Sequence, residues 1–141
     1  MFSKSNLVST LVTAIWGFGG GYLLWGLLAD PYFRENALMD GLMKDMPDMP
    51  YLILGCIIAA FAFCTIYRSF GSGNYGVSSG LAYGFWLSIM HGLGDGLINH
   101  ATSNMLDITG TLVNFGVYLV FYLVMGLIVG IIYGKMATSE S

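Results

Sequence analysis

Apolar residues run almost unbroken through four stretches of the chain, residues 7–28, 51–67, 79–98 and 111–133, each bounded by polar or turn-forming residues. A helix needs about 20 apolar residues to cross roughly 30 Å of hydrocarbon, and these stretches meet or approach that length. The pattern predicts an all-α protein, a four-helix transmembrane bundle forming a single integral membrane domain over residues 1–141. Between the first two spans the pattern changes: Phe33, Ala37, Gly41 and Met46 recur at near-helical spacing opposite Arg34, Glu35 and Lys44. This predicts a short helix lying at the interface in the first outer loop, ended by Pro47 and Pro50. Residues 68–76, rich in Gly and Ser, predict a tight connection between the second and third spans.

Composition reinforces this reading, since 56% of residues are hydrophobic and only 9% charged, far from the balance of a water-soluble domain. The formal charge of −3 is spread over loops without a basic run, so nothing marks a nucleic-acid partner. Lys4, Arg68 and Lys135 fall on one side of the predicted bundle, and Arg34 and Lys44 on the other among Asp30, Glu35, Asp40, Asp45 and Asp48. Counting Lys and Arg alone places both termini in the cytoplasm, as for a bacterial inner-membrane protein. The first apolar run, about 22 residues after a single Lys, exceeds a signal-peptide core and reads as a retained span. Cys56 and Cys64 lie about 80° apart around one helix, a geometry that excludes a disulfide between them.

Glycines recur four residues apart within the spans: Gly17 and Gly21, Gly80 and Gly84, Gly92 and Gly96, then Gly126, Gly130 and Gly134. In lipid, where no hydrophobic effect drives helices together, small residues allow the close backbone approach that supplies packing. The partner helix is either in the same chain or in another copy.

The third span carries the candidate chemistry. On a regular helix Gly84, Ser88, His91, Asp95, Asn99 and Thr102 fall within a strip roughly 80° wide, with Phe85, Trp86, Ile89, Leu93 and Leu97 opposite. An ionised Asp deep in a membrane costs at least about 2.5 kcal/mol, so Asp95 needs a partner or a proton. His91, one turn away, is the nearest candidate. Burial penalises both charges while their attraction favours them, the balance of a pair that shares one proton. Antiparallel counting brings Asn114 and Tyr118 of the fourth span, and Tyr22 of the first, to the same level. The stripe is therefore either a proton or small-polar-ligand pathway built on Ser88, His91, Asp95, Asn99, Asn114 and Tyr118, or a hydrogen-bonded network that sets helix register. His100 points away from the strip, so the two His residues do not make one metal site.

Met39, Met43, Met46 and Met49 crowd the first outer loop. Thioethers suit Cu(I), and the run resembles the methionine motifs of extracytoplasmic copper-handling proteins; copper is the one cofactor it suggests. The structural alternative is a flexible apolar face. No nucleophile stands at a recognisable spacing from a base, and Gly17-Phe-Gly-Gly-Gly lies within a span rather than in a phosphate loop. Nothing here indicates an enzyme.

Gly80-Leu-Ala-Tyr-Gly84-Phe85, Asn114-Phe-Gly116-Val-Tyr118 and Met125-Gly126-Leu-Ile128-Val-Gly130, with Trp25 and Pro31-Tyr-Phe more loosely, resemble a family of short bacterial four-helix membrane proteins, domain of unknown function 1761. The resemblance implies a four-helix fold and no assigned activity. The sequence thus predicts a non-catalytic small membrane protein that associates with lipid and with its own copies or other subunits. The polar stripe and the methionine loop are the two alternatives.

Overall fold

The computed structural model describes residues 3–41, 44 and 46–139. Its elements run α1 (Lys4–Gly21), a π-helical segment π1 (Tyr22–Leu28), α2 (Asp30–Asn36), α3 (Met49–Gly71), α4 (Val77–Leu87), a second π-helical segment π2 (Ser88–Gly94), α5 (Asp95–Thr102) and α6 (Ile108–Ser139). Backbone angles stay right-handed helical through Gly21 and Tyr22, and from Leu87 through Asp95. The long rods are therefore Lys4–Leu28, Met49–Gly71, residues 77–102 and Ile108–Ser139. Rod one packs on α3 and α6, and the 77–102 rod packs on α6 and on α3. Cross-chain contacts such as Asn6 with Tyr133 and Trp25 with Asn114 make neighbouring rods antiparallel.

Among the described residues, three helices are long and apolar enough to cross a membrane: Lys4–Leu28, Met49–Gly71 and Ile108–Met136. The segment expected as a third span, 79–98, is helical but is not one of them. His91, Asp95 and the glycines at 92, 94 and 96 lower its apolar content.

Local chemistry sets the helix ends. The Ser3 hydroxyl accepts from the Asn6 amide at 3.3 Å, and Asp107 accepts from the Gly110 amide at 2.7 Å at the start of α6, each satisfying an orphan donor of the first turn. Pro31 and Pro50 occupy first-turn positions, where a missing N–H does no harm. After α3 the chain reverses through Ser72 and Gly73, both with positive φ, and the Tyr75 hydroxyl donates to the Arg68 carbonyl at 3.0 Å.

The first loop differs from expectation. Its helix ends at Asn36, because Ala37 turns to extended backbone and pairs with Leu106. The Leu38 amide donates to the Met105 carbonyl, and the Asp107 amide to the Asn36 carbonyl. Phe33 is buried beneath this clamp rather than facing lipid, and Gly41 lies beyond the helix with φ +71°. α2 is a cap over one end of the helices, not an amphipathic helix reaching Met46.

Burial is inverted relative to a water-soluble core. Leu11, Ile15, Tyr51, Ile58 and Trp86 lie on the outside, whereas Asn6, Ser9, Thr13 and Ser88 are fully buried. Apolar exposure on this scale marks an interaction with lipid or protein. The interior apolar cluster is Phe63, Cys64, Tyr67, Tyr83, Met125, Val129 and Tyr133. Glycines set the distance between α4 and α6: a Cβ on Gly80 would overlap the Gly126 carbonyl oxygen, and one on Gly84 the Tyr122 carbonyl. Reciprocally, Gly126 meets Gly80 and Gly130 meets Gly76.

Candidate functional site

Two π segments flank one end of the bundle, and both pack against α6. In π1 the Ala29 amide donates to the Leu24 carbonyl at 2.8 Å; in π2 the Asp95 amide donates to the Met90 carbonyl. These bonds span five residues instead of four, so the helix holds one more residue than a regular turn and later side chains are displaced by about 100°. Such segments are rare and concentrate at functional sites.

The displacement divides the predicted stripe. Ser88, at the start of π2, is fully buried and its hydroxyl donates to the Phe85 carbonyl at 2.7 Å. It is not among the residues that line the pocket formed by the other predicted side chains. His91, Asp95, Asn99, Asn114 and Tyr118, with Gly96 and Ile98, line one pocket of about 200 Å³. α6 contributes Asn114 and Tyr118 from its first turns, and the 77–102 rod contributes the rest.

Within the pocket His91 Nδ1 stands 3.7 Å from Asp95 Oδ2, both side chains about half exposed at 46% and 54%. At that distance and exposure the pair contributes roughly 0–1 kcal/mol, and its polar atoms remain available to a third group. Among the described residues, no hydrogen bond is made by the side-chain carboxamide of Asn99 or the hydroxyl of Tyr118. Asn114 is held from outside the pocket: its Oδ1 accepts from Trp25 Nε1 at 2.9 Å. The Trp25 ring meets the Tyr118 ring edge-on at a centroid distance of 4.8 Å, and His91 lies 4.9 Å from Tyr118 on the other side. π1 thus braces the wall of the site that π2 faces.

Other predicted residues fall outside it. Tyr22 is 63% exposed on the outer surface. His100 approaches the Leu106 carbonyl at 3.2 Å and lines a neighbouring pocket of about 90 Å³ with Asn99 and Asn114. Thr102 donates back to the Ile98 carbonyl. Gly92 faces Tyr118 Cβ, and Gly96 faces the Thr111 methyl at 3.4 Å. Gly17 faces Cys56, and Gly21 has open space. Met39, Met46 and Met49 are exposed, and Met43 lies outside the described residues. No cluster of three or more His, Cys, Asp or Glu side chains that could hold a metal ion occurs among the described residues.

A second polar group sits at the opposite end, and sequence reasoning missed it. Asn6 Nδ2 donates to Thr65 Oγ1 at 3.1 Å, and the Tyr133 hydroxyl donates to Asn6 Oδ1 at 2.9 Å. Thr13 Oγ1 lies 3.3 Å from Cys64 Sγ, and the Tyr67 hydroxyl is 2.8 Å from Ser79 Oγ. The available signal was Asn6, Ser9, Thr13 and Gly17 at three- and four-residue spacing, one face of the first helix. Beginning the span at Leu7 left Asn6 outside it.

Comparison of the chain with protein-family models, with curated proteins and with solved structures finds no match. The family resemblance therefore rests on the motif residues alone.

Proposed function

We propose that the chain is a non-catalytic integral membrane protein, a four-helix bundle with cytoplasmic termini, whose opposite end binds a small polar ligand and exchanges protons with it through His91 and Asp95. The observation that carries this reading is the convergence of five polar side chains from two helical rods on one pocket, of which, among the described residues, only Asn114 is hydrogen-bonded within the chain. Its volume equals that of about six or seven liquid waters. An intramembrane or interfacial carboxylate is a functional candidate by default, and Asp95 lies about 10 Å from the end of its rod at Thr102.

The pocket supports binding rather than passage. Below it, rings of Tyr118, Tyr122, Phe63 and Tyr83 follow one another at centroid distances of 4.7 to 6.1 Å, an apolar barrier beneath the polar site. The glycines of α4 and α6 face each other within the chain, so they supply no separate argument for self-association.

Trp25 is a built-in reporter. With Trp16 and Trp86 replaced by Phe and the protein in lipid nanodiscs, Trp25 emission should change with pH as the site gains and loses protons. Asp95→Asn and His91→Gln should each flatten the response. An unchanged titration in both variants defeats the reading, and co-purification of a stoichiometric protein partner would then favour an accessory-subunit role.

A further inference from the structure

Charge is segregated along the bundle. Every carboxylate side chain among the described residues lies toward the end that holds the polar pocket: Asp30, Glu35, Asp40, Asp48, Asp95 and Asp107. The basic residues there, Arg34 and Lys44, form ion pairs with Asp30 and Asp48. The opposite end carries Lys4, Arg68 and Lys135. The summed field is therefore negative around the mouth of the pocket, where it draws cations in and turns anions away.

The pocket repeats that sign at close range. Asp95 is the one carboxylate among its lining residues, and no Lys or Arg stands with it. His91 Nδ1, at 3.7 Å, is beyond hydrogen-bond distance of Asp95 Oδ2. The Asn99 carboxamide oxygen and the Tyr118 hydroxyl oxygen are further acceptors lining the same space. The Tyr118 ring supplies an aromatic surface, and such a ring attracts a cation held within about 6 Å of its centroid.

Size narrows the class. A pocket of about 200 Å³ has room for about six or seven atoms the size of a water oxygen. A bare metal ion would occupy a small part of it and finds no group of three His, Cys, Asp or Glu side chains among the described residues. An organic cation fills the space and meets carboxylate, acceptors and ring together.

We infer that the pocket binds a small organic ammonium, its N–H groups donating to Asp95 and Asn99 and its body lying against Tyr118. The inference rests on the reading of this pocket as a ligand site, and it adds the sign and chemical class of the ligand.

The test uses the full chain with Trp25 as its only tryptophan, in an uncharged maltoside detergent at about pH 8, where an alkylammonium is charged. Methylammonium chloride, acetamide, sodium acetate and magnesium chloride are titrated against Trp25 emission at constant ionic strength. Methylammonium should half-saturate the response at a concentration at least tenfold below that of acetamide, and acetate and magnesium should give no saturable response. Asp95→Asn should remove the preference, whereas Asp95→Glu, which keeps the charge, should hold it within about threefold. Equal affinity for methylammonium and acetamide, tighter binding of acetate or magnesium, a preference that survives Asp95→Asn, or its loss in both variants alike overturns the inference. Silence toward every probe overturns it too. A Trp25 pH response that persists beside that silence leaves the polar-site reading standing, while silence with a flat pH titration ends both.

Discussion

The two ends of the bundle hold comparable polar material and treat it in opposite ways. At the end near Asn6 and Tyr133, side chains from α1, α3 and α6 are buried and bonded to one another across the interior. At the end near Asp95, side chains converge without bonding to one another, His91 and Asp95 stay half exposed, and the segments that supply His91 and the bracing Trp25 are π-helical. A buried polar group with its partners in the chain rigidifies packing; an unspent one beside a pocket is available to something else. The difference separates structure from site without appeal to residue type, since both ends use Asn and Tyr.

Breaking the closed end should have the largest effect. Gly80→Val places a side chain against the Gly126 carbonyl, an overlap that backbone must move to relieve. We expect a loss above about 3 kcal/mol, read as loss of a monodisperse species in detergent and of the cooperative melt by circular dichroism. Gly96→Ala at the open end, with its Cβ in ordinary contact with Thr111, should leave the melt unchanged or raise it. Equal damage from both would dissolve the distinction.

Tyr133→Phe removes one hydroxyl from the closed network, for about 0.6 to 1.7 kcal/mol as measured for hydrogen bonds between membrane helices. The melting midpoint should fall by a few degrees, and the Trp25 titration should not change. Asp95→Asn should do the reverse, moving stability by less than about 1 kcal/mol while abolishing the pH response. A stability loss as large as that of Tyr133→Phe would make Asp95 a structural residue. The smallest effect belongs to Ser88→Ala, which deletes only a bond to the Phe85 carbonyl. Both the melt and the titration should stay within error, and a flattened titration would return Ser88 to the site.

The sequence by itself determined the helices, their approximate ends and the outward apolar faces, because these follow from local periodicity; the caps at Ser3 and Asp107, which start the first and last helices a turn before the apolar runs, went unread. It also picked out His91, Asp95, Asn99, Asn114 and Tyr118, since a polar residue in an apolar helix is conspicuous wherever the helix goes. Tertiary structure decided the rest. Ser88 is buried against the Phe85 carbonyl where π2 begins, and nothing in Ser-Ile-Met-His-Gly-Leu-Gly announces a five-residue hydrogen-bond span. Phe33 turned inward because Ala37 found Leu106, and Tyr22 turned outward because Trp25 took the place against Asn114. The polar face of α1 became a buried network only when Thr65 and Tyr133 arrived from helices far away in the chain. Periodicity says which residues share a face, but which face meets which is set by packing among helices, and that is where a polar group either finds its partner or is left available.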